Sequence, residues 1–194
     1  MKVLGITGGV GSGKSEVLRY LKEEYGAYVC QMDETAKELQ RSGTDCFRQI
    51  VARFGNRVIG PDGELDRAEL GSIVFADEVA LHALNAIVHP AVFRWVREDI
   101  REKREEGVDL YVVEAALLTE EGKTLCDELW YIYAEEYVRR ERLKASRGYT
   151  DEKITQMIAS QPAEESFRKA CTAVIDNSGG FEDTKRQIGE KLKL

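Results

Sequence analysis

The chain has 194 residues, 43% of them hydrophobic and 32% charged, which suits one soluble domain, or one with an insertion, and excludes a disordered or fibrous chain. That length buries a core without a disulfide or metal staple. Lys and Arg number 28 against 35 Asp and Glu, a net charge of −7 at pH 7, so the chain is a poor general binder of nucleic acid or anionic membrane, and any phosphate must be held by a local arrangement of donors.

The first apolar run, Val3-Leu4-Gly5-Ile6, reads as a buried strand. It leads into Gly8-Gly9-Val10-Gly11-Ser12-Gly13-Lys14-Ser15, a full G-x-x-x-x-G-K-[ST] motif. Glu16 to Glu24 then reads as a helix, so the motif has the strand-to-helix context it requires. Glycines let the backbone wrap around phosphates with N–H groups inward, and the helix N-terminus adds donors and a favourable dipole. The binding loop is therefore assigned to Gly9, Val10, Gly11, Ser12, Gly13, Lys14 and Ser15. Lys14 can reach the β- and γ-phosphates, and the Ser15 hydroxyl can ligate Mg²⁺.

The second run, Ala27 to Cys30, is followed by Asp33. Ligands of open α/β sheets bind outside the carboxyl ends of strands. An aspartate there can accept the proton of an attacking hydroxyl; equally, it can cap a helix starting at Glu34. From about Asp33 to Gly107 the chain is too long for a simple crossover, which needs only about a dozen residues. The stretch holds a turn signal, Gly60-Pro61-Asp62-Gly63, and helical stretches at Arg67–Phe75 and Val92–Glu105. It is expected to be a helical insertion at the end of the second strand.

The third run, Leu110 to Val113, closes on Glu114, a Walker-B-like acidic position that can hold Mg²⁺ or its waters. Leu129 to Tyr133 and Ala173 to Ile175 complete five short runs alternating with helical segments, the pattern of an α/β fold with a parallel sheet. After the fourth run, Glu135 to Arg147 carries Arg139, Arg140, Arg142, Lys144 and Arg147. It reads either as an exposed, ion-paired helix or as a cationic lid over phosphates.

Cys30, Cys46, Cys126 and Cys171 form no Cys-x-x-Cys pair, and there are two histidines, so no structural zinc site is expected. The N-terminus lacks the pattern of an export signal. No stretch is read as approaching the ~18 apolar residues of a membrane span. The expected setting is the cytoplasm, with reduced thiols and no membrane or nucleic-acid partner.

Taken together, the sequence resembles the dephospho-coenzyme A kinase family. The resemblance starts at Gly5 to Ser15 and passes through Asp33 to Gly60-Pro61-Asp62-Gly63-Glu64-Leu65-Asp66-Arg67, Leu70-Gly71 and Val74-Phe75. It continues in Leu84-Asn85-Ala86-Ile87-Val88-His89-Pro90, Leu117-Leu118-Thr119-Glu120, Gln161 and Val174-Ile175-Asp176-Asn177. It implies a P-loop kinase core with a five-stranded parallel sheet flanked by helices, over about 1–33, 107–137 and 162–194, with a helical substrate domain inserted at about 34–106 and a helical lid at about 138–161. It implies transfer of the γ-phosphoryl of ATP, with Mg²⁺, to the ribose 3′-hydroxyl of dephospho-CoA, the last step of coenzyme A synthesis. Asp33 falls at the family's general base, and Arg67 and His89 fall in the substrate domain, where the alternatives are a capping or pairing Arg67 and a helix start at His89-Pro90. Lys14 and Arg142 are assigned to the transferred phosphoryl, Ser15 and Glu114 to the metal. A monomer is expected.

This chain departs from the family pattern at three places. Ala116 stands where the family usually has proline, Arg139 where it commonly has glutamine, and Ser146 where a second lid arginine is frequent; Arg147 is one residue out of register. A kinase for another nucleoside or nucleotide, and a non-catalytic NTP-binding regulator, are the alternatives.

Overall fold

The computed structural model describes residues 1–115 and 124–192. Ala116 and the Leu117 to Glu120 element lie outside the described residues. The described chain divides into two compact units, Met1–Cys30 with Glu102–Leu194, and Gln31–Arg101.

The first unit is built on β1 (Lys2–Thr7), β2 (Tyr28–Gln31), β3 (Leu110–Glu114), β4 (Glu128–Tyr133) and β5 (Ala173–Asp176). Their order is β2-β3-β1-β4-β5, and β1 pairs in parallel with both β3 and β4, as β4 does with β5. The five apolar runs are thus the five strands of one sheet. All five residues of β3 and five of six in β1 are buried, because helices cover both faces and leave no face for polar residues. Helix α1 (Lys14–Tyr25) presents Val17, Leu18 and Leu21 to Leu4, Ile6, Val112, Trp130 and Ile132. The later helices of this unit are α6 (Glu136–Arg147), α7 (Asp151–Ala159), α8 (Glu164–Ala170) and α9 (Phe181–Lys191); Ile188 of α9 is fully buried in the same core.

The order decides where a ligand can bind. From β1 the chain builds β2 and β3 on one side and β4 and β5 on the other. The carboxyl end of β1 is therefore the topological switch point, where open α/β sheets leave a crevice. Gly8 follows directly.

The Gln31–Arg101 unit holds α2 (Met32–Leu39), α3 (Asp45–Phe54), a 3₁₀ turn (Asn56–Val58), α4 (Arg67–Ala76) and most of α5 (Glu78–Glu105). Thr44 caps α3 by accepting from the Phe47 N–H, and Asp66 caps α4 by accepting from Ala68 and Glu69 N–H groups, each at 3.0 Å. The Gly60 to Gly63 turn closes an antiparallel bridge between Ile59 and Leu65.

Three expectations are corrected here. The helix read at Val92–Glu105 begins instead at Glu78 and carries Pro90 in its interior, so His89-Pro90 does not start a helix. Buried residues Val88, Val92, Val96 and Ile100 repeat every four positions along it; that stripe spans the proline and overrides its missing N–H. The second correction follows from the first: α5 is long and apolar enough, by length and composition, to cross a membrane. A count of unbroken apolar residues misses it, because Asn85, His89 and Pro90 interrupt the run. Third, α2 begins at Met32, with Gln31 at the cap position. Asp33 is therefore the second residue of the helix and not its N-cap.

All four cysteines are free thiols. Burial, with Asp127 beside it, pushes the Cys126 thiol up to about 12. A raised value leaves little thiolate at neutral pH, partly offset by the greater intrinsic reactivity of that thiolate. Iodoacetamide at pH 8 should modify Cys126 in the folded protein roughly 10- to 100-fold more slowly than after unfolding. Equal rates, read by peptide mass spectrometry, would contradict this environment.

Candidate active site

The site grows from the pairing of β1 with β3. Ile6 lies opposite Glu114, so the P-loop and the acidic strand end emerge side by side. Lys14, the first residue of α1, donates from Nζ to the Gly8 carbonyl at 2.7 Å and lies 3.9 Å from Glu114 Oε1. Glu114 is buried, and a buried carboxylate is tolerable when a cation and hydrogen bonds accompany it.

The loop leaves donors in the right place. Gly13 occupies the N-cap position of α1 with φ 88° and supplies no side-chain cap. That left-handed conformation suits glycine, and a Cβ there would collide with the Asn177 amide. Gly13 thus offers no side-chain acceptor that would compete with a phosphate oxygen for the first-turn N–H groups of α1. Ser15 is exposed on that turn, whereas the hydroxyl of Ser12 is buried with no hydrogen-bond partner among the described residues.

Helix α6, the basic stretch, lies against the loop. Arg142 donates to the Asn177 carbonyl at 2.8 Å and, more weakly, to the Ser12 carbonyl at 3.4 Å. Asn177, immediately after β5, is fully buried; its amide donates to the Ser12 carbonyl and its side-chain oxygen accepts from Thr184, both at 2.8 Å. One turn earlier on α6, Arg139 donates from Nε to the Val10 carbonyl at 2.8 Å. The ion-paired reading of α6 fits its other face, where Arg140 pairs with Glu136 and Lys144 with Asp151. Arg147 is exposed, 5.9 Å from the Tyr149 ring centroid.

The remaining assigned residues lie in the Gln31–Arg101 unit. Asp33 is exposed in the first turn of α2. Arg67 opens α4 and reaches the Lys37 carbonyl at 3.5 Å, a marginal hydrogen bond; Asp66, not Arg67, is the cap. His89 is exposed on α5.

Gln161, Asn177 and Thr184 had no assigned role in the sequence reading, and Arg139 stood there only among the basic residues of the cationic stretch. Their contacts with the loop or with each other depend on tertiary placement, although Gln161 and Asn177 already stood among the residues carrying the resemblance.

Hard oxygen donors suit Mg²⁺, which keeps several waters and is commonly held through substrate phosphates and one or two protein groups. The Ser15 hydroxyl and the Glu114 carboxylate form such a set. Among the described residues no cluster of three or more His, Cys, Asp or Glu could hold a metal by itself.

Comparison with known proteins agrees with this geometry. The family model for dephospho-CoA kinase matches residues 2–183. The dephospho-CoA kinase of Geobacter sulfurreducens is 42% identical over 192 residues, covering 98% of this chain and 96% of its own. That of Carboxydothermus hydrogenoformans is 38% identical over 190 residues, covering 97% and 91%. A solved structure from Thermus thermophilus superposes with a TM-score of 0.80 at 30% identity, covering 98% of this chain and 96% of its own. A P-loop set at the switch point of a five-stranded α/β sheet, in a sequence matched from Lys2 to Asp183, leaves one assignment: this chain belongs to the dephospho-CoA kinase family.

Proposed function

We propose that this chain transfers the γ-phosphoryl group of ATP to the ribose 3′-hydroxyl of dephospho-CoA, giving coenzyme A and ADP, with Asp33, Lys14 and Arg142 as the catalytic groups. The observation that carries the reading is the P-loop, with Lys14 beside buried Glu114, within a family match spanning nearly the whole chain.

In phosphoryl transfer the protein chiefly positions groups and stabilises charge. The N–H groups of the loop and α1 hold the donor phosphates. Lys14 neutralises charge on the equatorial oxygens of the transferred group. Arg142 uses two of its five N–H donors on backbone carbonyls and retains others for phosphate oxygens. Asp33 orients the 3′-hydroxyl and takes its proton as the oxygen–phosphorus bond forms and the bond to the β,γ-bridging oxygen breaks. Arg67 and His89 bind the acceptor. Ser15 and Glu114 would hold Mg²⁺, which would supply charge neutralisation on the phosphates.

We assign residues 34–106 as the substrate-binding insertion and 138–161 as the lid, which excludes water that would otherwise compete as acceptor. A monomer acting in the cytoplasm, without nucleic-acid or membrane partners, fits four free thiols and the net charge of −7.

Product analysis tests the reaction. ³¹P NMR of the product from ATP and dephospho-CoA should show a new phosphomonoester coupled to the ribose 3′ position. A phosphoryl group at any other position would contradict the assignment.

The two lid arginines should separate cleanly. Arg142 touches the loop, and Arg147 extends from the far end of α6. At saturating ATP, Arg142→Ala should lower kcat about tenfold or more, and Arg147→Ala by less than about threefold. The reverse order would show that the lid register is misassigned.

A further inference from the structure

We propose that Arg139 and Gln161 are positioning residues for the phosphate loop, acting through the peptide groups of Val10; this deepens the kinase reading above and rests on it. Two hydrogen bonds converge on this residue, and a third joins their side-chain partners. The Val10 N–H donates to Gln161 Oε1 at 3.0 Å, and the Val10 carbonyl accepts from Arg139 Nε at 2.8 Å. Arg139 Nη2 donates to the same Gln161 oxygen at 3.0 Å, closing the ring. Both backbone polar groups of Val10 are thereby tied to side chains 129 and 151 residues away in the chain.

The fit requires the glycine before it. A Cβ on Gly9 would lie 2.6 Å from Arg139 Nη2, so the guanidinium rests on bare backbone. Arg142, one turn further along α6, reaches the Ser12 carbonyl. Helix α6 therefore grips the loop on both sides of Gly11.

The tie divides the loop's donors. The Val10 N–H is committed to Gln161 and the Ser12 N–H to the Gly9 carbonyl at 3.2 Å, so the phosphate cradle falls to other N–H groups from Gly11 onward. Their directions depend on the plane of the Val10 peptide. A backbone fixed before the nucleotide arrives needs no reorganisation as charge builds on the phosphoryl group, which is where preorganised donors count most. Arg139 and Gln161 act on the reaction only through Val10.

Gln161 uses only its oxygen in this ring, and that gives a sharp test. Glutamate at 161 keeps an acceptor for both donors; leucine removes it at nearly the same size. Gln161 also lines a cavity of about 250 Å³ with Tyr131, Arg139, Ile158 and Phe167, so neither side chain overpacks a core. The experiment measures ADP affinity by calorimetry, kcat and KM for ATP with dephospho-CoA, and melting temperature for the wild type, Gln161→Leu and Gln161→Glu. Gln161→Leu should weaken ADP binding and lower kcat, each by roughly tenfold, the cost of one well-placed hydrogen-bond acceptor. Gln161→Glu should restore both to within about threefold of wild type, with all three proteins melting cooperatively. Wild-type ADP affinity and kcat in Gln161→Leu, or an equal loss in both variants, would overturn the proposal. The ADP titration requires no acceptor, so a wild-type protein that bound ADP but did not phosphorylate dephospho-CoA would overturn the kinase reading while leaving the tie to be judged on binding alone.

Discussion

Lys14→Ala should lower kcat by about 10²–10³-fold, the loss found when one preorganised group facing transition-state charge is removed. The effect comes from where the Lys14 ammonium sits. It is held by the Gly8 carbonyl at 2.7 Å and faces Glu114 at 3.9 Å, with its side chain 17% exposed. Little solvent reaches it, so its charge is weakly screened and acts strongly on a phosphoryl group carrying spread negative charge. Ground-state affinity for ATP should fall less than kcat, because the charge on the transferred group changes most at the transition state. The substitution also leaves buried Glu114 without this cation, so a lower melting temperature is expected alongside. Steady-state kinetics on protein shown to be folded by its thermal transition separates the two effects. A folded Lys14→Ala enzyme with near-wild-type kcat would remove this loop from the donor phosphates.

Asp33→Asn should bind ATP almost normally and transfer phosphoryl about 10²–10⁴-fold more slowly, the usual contribution of a general base. Asparagine retains the size and much of the hydrogen bonding of aspartate while lacking its basicity. The structure removes one competing explanation: α2 starts at Met32 with Gln31 at the cap position, so the carboxylate of Asp33 is not required to cap that helix. It does lie in the first turn, where a negative charge is favoured by the helix dipole, and the variant should lose only about 0.3–1 kcal/mol of stability on that account. Activity is thus the discriminating quantity. Full turnover in Asp33→Asn would exclude it as the base.

The parts of this molecule legible in the sequence are those governed by local rules. Continuous apolar runs marked the five strands because a parallel sheet buried on both faces tolerates few polar residues. The P-loop was legible because phosphate binding demands a particular backbone, and that backbone demands Gly13 at φ 88°. Glu114 could be read from its place at a strand end, and the register of β1 with β3 then set it near Lys14. Helix boundaries were harder. Pro90 suggested a start, yet the apolar stripe from Val88 to Ile100 continues across it, and tertiary burial outweighs the lost backbone hydrogen bond. The support for the loop was hardest of all. Asn177 reaches Ser12 across 165 residues and Arg139 reaches Val10 across 129. Such contacts depend on how β4, β5 and α6 are assembled, and no periodicity in the chain records them.

The most direct test of the central claim is ADP release measured in a coupled assay with ATP and a panel of acceptors: dephospho-CoA, free nucleosides and nucleoside monophosphates. One ADP should be released per dephospho-CoA consumed, and only background release should occur with the others. Comparable turnover of a nucleoside or monophosphate would make the chain a kinase of different specificity. Tight ATP binding with no turnover of any acceptor would make it a nucleotide-binding regulator, contradicting the catalytic account.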